Sequence, residues 1–154
     1  MPGIIRKNLK TIKFIQKQFP WLIGILGFLV YFLRAFQTAF TQRSIIDEGI
    51  YLLKGLYFAR GTYAPFQDYG FWTQKAPLAY LIYGWVQQVF APGLRTGRFF
   101  SVIIGGLAIL GLFLVIRRTR GAWWGIAAVW VAVANTVTIR YFSSALSQSL
   151  VACL

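Results

Sequence analysis

The sequence is poor in acidic residues, histidine and cysteine. Its 154 residues include only three Asp or Glu and no His, against 16 Lys and Arg. Without histidine the chain cannot supply a Ser-His-Asp triad or the His-containing zinc ligand sets. Its one cysteine, Cys153, cannot form a disulfide within the chain. The acidic residues that are present are therefore the first candidates for a chemical role.

Apolar residues, in contrast, are abundant. Hydrophobic residues make up 58% of the chain and aromatic residues 18%, which is outside the range of ordinary soluble domains. The formal net charge is +13, but the cations cluster between apolar runs, where they orient helices and contact lipid headgroups. We predict an all-α, polytopic transmembrane bundle whose partners include membrane lipids and do not include nucleic acid.

Several apolar runs are long enough to cross a bilayer core of about 30 Å. The first, "PWLIGILGFLVYFLRAFQTAF", covers residues 20–40. Further candidates cover residues 76–94, 99–116 and 121–139, and another run opens at Tyr141. The sequence thus predicts about four to five spans, with an outer loop over residues 42–75 between the first two.

The basic segment at residues 1–19 suggests an orientation. Its apolar and Lys positions fall on different sides of a helix, as in a basic amphipathic helix on an anionic leaflet. A disordered basic tail explains the same composition equally well. Either form predicts a multi-pass protein of the cell (inner or plasma) membrane with a cytoplasmic N-terminus and an outward-facing 42–75 loop.

A strict count of spans places the cluster Arg117, Arg118 and Arg120 outside, against the positive-inside rule. Two explanations stay open. Either the segment containing Gln87 and Gln88 does not cross the membrane, or the arginine cluster departs from the rule.

The outer loop contains the adjacent acids Asp47 and Glu48. Ser44 is a candidate helix N-cap with Asp47 three residues on, and Gly61 is a candidate C′ residue that ends the helix. Helical spacing places Asp47, Tyr51 and Lys54 on one face, while Glu48 points about 100 degrees away. The two acids serve either as capping and dipole-compensating groups or, in the case of Asp47, as a general base.

Cations of the same loop offer contacts to a lipid phosphate. Arg60 follows the predicted helix, and Lys75 directly precedes the next apolar run. Both lie on the side that the positive-inside rule disfavours, so they suit an anionic ligand there. Arg95 and Arg98 in "RTGRFF" either do the same or act as ordinary anchors.

The order of these stretches resembles a known family. "DEGIYLLKGLYFARG", "QKAPLAYLIYG", "RTGRFF" and the glycine-containing span that follows resemble the start of the GT-C membrane glycosyltransferases. Protein O-mannosyltransferases (family 39) and aminoarabinose-transferase-like members are most similar. The resemblance covers residues 21–145, about the first third of a typical member. We therefore expect residues 1–154 to be the N-terminal part of one longer domain and to be inactive alone.

The resemblance implies transfer of a sugar from a polyprenyl-phosphate donor to an acceptor, of unknown identity, on the outer membrane face. It implies that Asp47 is the catalytic base, with Glu48 completing the acidic pair, and that Lys75 binds the donor phosphate. Here Lys-Ala-Pro stands where the family has Lys-Pro-Pro. With the inverting mechanism that follows, Arg60 assists Lys75, and Tyr51 and Lys54 line the cleft.

A further acid of the family is replaced in this chain by Ser147 and Gln148. For that reason we predict no metal and no other cofactor. A second hypothesis is a small, non-enzymatic, basic membrane protein that binds lipid or a partner and uses its acids only as helix caps.

Overall fold

The computed structural model describes residues 2–64 and 78–152, and the side chains of the first helix from Phe19 onward. The described residues form helices. These are α1 (Pro2–Thr41), α2 (Ile46–Ala59), α3 (Leu78–Val89), α4 (Leu94–Arg120), α5 (Ala122–Ala134), α6 (Thr136–Phe142) and α7 (Ser147–Val151). The predicted all-α class is confirmed. Helix α1 continues through the basic N-terminal segment, which agrees with the helical alternative for that segment.

In the part of the chain that the structure describes, two helices are long and apolar enough to cross a membrane, Phe19–Thr41 of α1 and Leu94–Arg120, and they indicate a membrane protein. They run antiparallel, because Arg117 stacks on Trp21 at one end and Phe99 packs on Phe40 at the other. Helix α5 packs against both of them, and the core between the three is apolar.

The predicted four to five spans are not confirmed. Helices α5 and α6 are long and apolar enough to cross a membrane only when taken together, and they are bent by 78° at the break between them. The described residues therefore contain two candidate spans, or three if α5 and α6 together form one span. The bend occurs because Asn135 has an extended backbone and its side chain accepts hydrogen bonds from the N–H groups of Val137 and Thr138. Helix α3 has 12 residues and is about 18 Å long, too short for a bilayer core.

The ends of α1 and α4 bear on the arginine cluster. Arg117 lies beside Trp21, at the end from which α1 continues into the basic residues 2–18. The chain has therefore returned to its starting end by Arg120. This arrangement agrees with the explanation in which the segment containing Gln87 and Gln88 does not cross.

Helices α2 and α3 pack closely at the opposite end of α4, together with α7. Gly55 and Gly84 form the crossing point, since a Cβ on either would overlap the backbone of the other helix. Gln87 is buried there, and its amide donates a 2.8 Å hydrogen bond to the carbonyl of Leu52. Helix α2 is thus fixed against α3 by a backbone-to-backbone contact.

This contact predicts that Gly84→Ala destabilises the fold by about 1–3 kcal/mol or more, because the added methyl group overpacks the crossing. It would overlap the Gly55 carbonyl and lie 2.8 Å from the Cβ of Ala59. The measurement is thermal unfolding in detergent. Gly49→Ala is the matched control, since its Cβ meets nothing within 4 Å and alanine favours the helix. Equal unfolding temperatures for the two variants would refute the close crossing.

Candidate active site at the start of helix α2

Glu48 is fully buried, and each oxygen of its carboxylate accepts two hydrogen bonds. Arg98 donates from Nε to Oε1 at 2.9 Å and from Nη2 to Oε2 at 2.8 Å. The backbone N–H of Ala145 donates to Oε1 at 2.9 Å, and that of Ile45 to Oε2 at 3.1 Å. Such bidentate, charge-assisted bonds are the strong class of hydrogen bond and fix both side chains in one orientation.

Arg98 is buried as deeply as its partner, with 3% of its surface exposed. Its remaining N–H groups donate to the carbonyls of Ala39 at 2.8 Å, Gln42 at 3.0 Å and Arg43 at 3.2 Å. With the two bonds to Glu48, all guanidinium donors are satisfied. The pair therefore joins the end of α1, the link to α2, the start of α4 and the segment before α7.

The cap of α2 differs from the sequence prediction by one residue. The N-cap residue is Ile45, not Ser44, and Glu48 rather than Asp47 stands three residues on and binds the N-cap N–H. The reason is the ion pair with Arg98, which draws Glu48 inward. The other end agrees with the prediction, since Gly61 follows the C-cap with a φ of 74°, a conformation that favours glycine.

Burial alone would raise the pKa of the Glu48 carboxyl. Hydrogen bonds from Arg98, Ala145 and Ile45, together with the Arg98 charge, outweigh it, so that the pKa lies below its ordinary value of 4.5. A carboxyl whose pKa is lowered by folding contributes stability that is fully present above the unfolded-state pKa. That contribution is lost as the pH falls through the folded-state pKa.

The expected result is a stability difference between wild type and Glu48→Gln that is large at neutral pH. It shrinks from about pH 4.5 downward, because the unfolded wild type then takes up a proton on this carboxyl, while the folded protein does so only at its lower pKa. Denaturant unfolding of both proteins across this range measures it. A difference that does not change with pH would show that Glu48 is not ionised in the folded protein.

Asp47 lies on the same turn but is exposed. Burial, with smaller contributions from Tyr51 and from the Asp47 carboxylate, raises the pKa of Tyr80, so Asp47 is within electrostatic reach of that hydroxyl. The rings of Tyr51 and Tyr80 stack with centroids 4.8 Å apart, and the Tyr51 hydroxyl bonds to Ser147 at 2.7 Å. An exposed carboxylate thus lies within electrostatic range of a buried, stacked tyrosine pair.

The other predicted residues are not all brought together. Tyr51 is buried, so it packs beneath the surface of the site and does not line an open cleft. Lys54 is half-buried, two turns along α2. Arg60 is the C-cap at the far end of the helix, about 20 Å from Asp47 at 1.5 Å per residue. Lys75 lies outside the described residues.

Sequence reasoning missed two groups that build this site. The sequence leaves Arg98 open between phosphate binding and anchoring. It gives Ser147 only as a replacement for an acid of the family, and it predicts no contact for Ala145. The one sequence signal for the ion pair is the scarcity of acids. A buried arginine needs a carboxylate partner, and the chain has few carboxylates to choose from.

A groove of about 590 Å³ lies beside the start of α2, between that helix and the α3–α4 link. Its lining is largely apolar and comprises Ser44, Ile45, Ile46, Gly49, Leu52, Leu53, Leu56, Gln87, Pro92, Gly93 and Leu94. In the part of the chain that the structure describes, no group of three or more Asp, Glu, His or Cys side chains is placed to hold a metal ion.

Comparisons of the sequence and structure with protein-family models, curated proteins and solved structures found no match.

Proposed function

We propose that this chain is the N-terminal part of a membrane glycosyltransferase in which Asp47 is the general base. One observation carries the proposal: the adjacent acids have opposite environments. Glu48 is locked to Arg98 inside the protein, whereas Asp47 is exposed on the same turn. Glu48 holds the turn in place and leaves Asp47 free to accept a proton, as a general base requires.

In the proposed reaction an acceptor hydroxyl or amine attacks the anomeric carbon of a polyprenyl-phosphate sugar. Its proton passes to Asp47, the bond from the anomeric carbon to the phosphate oxygen breaks, and the lipid phosphate leaves with the electron pair. The configuration at the anomeric carbon inverts. Cations near the leaving oxygen stabilise the developing charge. We assign that role to Lys75 and not to Arg60, because Arg60 lies at the far end of α2.

The apolar groove beside α2 supports a lipid-linked donor. Ile45, Ile46 and Leu53 line it close to the turn that carries Asp47. A polyprenyl chain would find apolar surface there while its phosphate stays at the membrane boundary, where water and cations are accessible. A water-soluble sugar nucleotide has no apolar chain to bury on such a surface.

The proposed orientation has the N-terminus in the cytoplasm of a multi-pass inner or plasma membrane protein. The basic residues 2–18 and the cluster around Arg117 occupy one end of the spans, and Asp47 and Glu48 occupy the other. Cation-rich ends remain cytoplasmic. The catalytic turn would then face outward, with the acceptor.

The test is donor turnover in membranes from cells that express the intact gene. Membranes with the protein should release labelled sugar from a polyprenyl-phosphate sugar faster than membranes without it. Because the sugar is unknown, a panel of mannose, glucose and aminoarabinose donors is used. No release above background from any donor of the panel would count against the enzymatic function.

The contacts of Glu48 give some support to the second candidate, a small non-enzymatic membrane protein. Glu48 caps α2 and pairs with Arg98, which is a purely structural role. In that case Asp47→Asn would change stability by no more than a surface substitution does and would change no turnover.

A further inference from the structure

A second pocket, of about 320 Å³, lies where the bent α5–α6 pair meets the end of α1. Its lining comprises Gln42, Ile45, Val137, Arg140, Tyr141, Ser144 and Leu146. One side of it is a hydrogen-bonded polar wall: the Gln42 amide donates to the Ser144 hydroxyl at 2.7 Å, and that hydroxyl donates to the Arg140 carbonyl at 2.8 Å. The other side is apolar.

The charge of this pocket is unbalanced. Arg140 is exposed, and no carboxylate lines the pocket. Among the described residues the only ion pair within 4.0 Å joins Arg98 to Glu48, so the buried acid of α2 already has an arginine partner. The Gln42 amide and the Ser144 hydroxyl already donate to oxygens of the protein, so they fix the wall of the pocket. The N–H groups of the exposed Arg140 guanidinium are the donors that match the oxygens of a phosphate group.

The position of the pocket relative to the membrane favours a lipid over a free ion as its ligand. Gln42 directly follows Thr41, the last residue of the span in α1, so the pocket lies at the membrane boundary, where lipid phosphates are found. Arg140 itself lies near the end of the bent α5–α6 pair, which together is long and apolar enough to cross a membrane. An arginine near the end of such a segment extends its guanidinium to the membrane boundary, where lipid phosphates lie. Apolar Ile45, Val137 and Leu146 supply a surface for the chains of an amphiphile.

We infer that the pocket around Arg140 binds the phosphate group of an anionic lipid. This site is separate from the proposed catalytic turn, and the inference holds for an enzyme and for a non-enzymatic membrane protein alike. A polyprenyl phosphate is one member of the ligand class, and phosphatidic acid is the simplest probe of it.

The experiment places the purified chain in nanodiscs of phosphatidylcholine with a minor fraction of phosphatidic acid, and native mass spectrometry counts the lipids that the protein retains. High salt is used because it screens the diffuse attraction of the exposed basic residues. Wild type should retain phosphatidic acid in preference to phosphatidylcholine. Arg140→Gln should reduce that preference about tenfold or more, the loss expected for a charge-assisted hydrogen bond.

Arg95→Gln is the matched control, since Arg95 is an exposed cation at the same end that stacks on Phe40 outside the pocket. It should leave the preference unchanged, and Arg140→Lys should retain part of it. Equal losses in the glutamine variants of Arg140 and Arg95 would overturn the site. Equal retention of both lipids by wild type would overturn it even if a variant failed to fold. Displacement of phosphatidic acid by inorganic phosphate would show a free-phosphate site instead and would overturn the lipid assignment.

Discussion

Glu48→Ala should lower the free energy of unfolding by about 3–5 kcal/mol, the cost of removing one partner of a buried ion pair. The variant leaves the Arg98 guanidinium buried without its counter-charge, because Arg98 is only 3% exposed. It also removes the acceptor for the N–H groups of Ala145 and Ile45. Chemical denaturation in detergent micelles, followed by circular dichroism, measures the loss.

Two controls separate the ion pair from a general effect of mutation. Arg98→Ala should cost a similar amount, and the double replacement Glu48→Leu with Arg98→Met should cost less than the sum of the single losses, since no charge is then left buried. Arg95→Ala, an exposed neighbour, should remain within about 0.5 kcal/mol of wild type. If Glu48→Ala also stayed within that range, the ion pair would not be a main contribution to the stability of the fold.

Asp47→Asn should lower the rate of sugar transfer by about 10²–10⁴-fold, the usual contribution of a general base. The side chain is exposed, so the substitution leaves packing intact. Asparagine keeps the size of the side chain and loses the ability to take a proton. The reduction should therefore appear in kcat, while the KM for the donor lipid changes little. The rate is measured in membranes with a labelled polyprenyl-phosphate sugar, at equal amounts of folded protein.

Asp68→Asn serves as the matched control, because Asp68 is the third acid of the chain and belongs to the same loop. It should keep most of the wild-type rate. A wild-type rate in Asp47→Asn would remove Asp47 from the mechanism, and a large reduction only in Asp68→Asn would transfer the role of base to that residue.

The helix that carries the site could be predicted well from local sequence. The pattern between Ser44 and Gly61 predicted a short helix, and α2 extends from Ile46 to Ala59. Its end was predictable because glycine tolerates the positive φ found at Gly61. Its start was shifted by one residue, since a contact with a distant side chain outweighed the local preference for serine as a cap.

The long-range contacts of the site could not be predicted in the same way. Arg98 is 50 residues from Glu48, and Ala145 is 97 residues from it. No local rule links positions that far apart, and the Ala145 contact uses a backbone N–H group, which every residue type except proline has. The sequence did show that the two acids point in different directions along α2, which is the basis of their different environments.

The number of spans was the weakest part of the sequence prediction. Hydropathy identifies apolar segments but does not show where a helix bends. Asn135, in the middle of an apolar run, ends α5 and caps α6, which produces the 78° bend. Helix α3 is apolar but has only 12 residues, and it packs on α2 through Gly84.

The central proposal is that Asp47 is the general base and Glu48 stabilises the fold. Its most direct test is the rate of sugar release per folded molecule, measured together with the unfolding temperature, for Asp47→Asn and Glu48→Gln. We predict that Asp47→Asn keeps the wild-type unfolding temperature and loses its rate. Glu48→Gln should unfold at a lower temperature and keep a measurable rate in the molecules that remain folded. A wild-type rate per folded molecule in Asp47→Asn, or an unchanged unfolding temperature in Glu48→Gln, would contradict it.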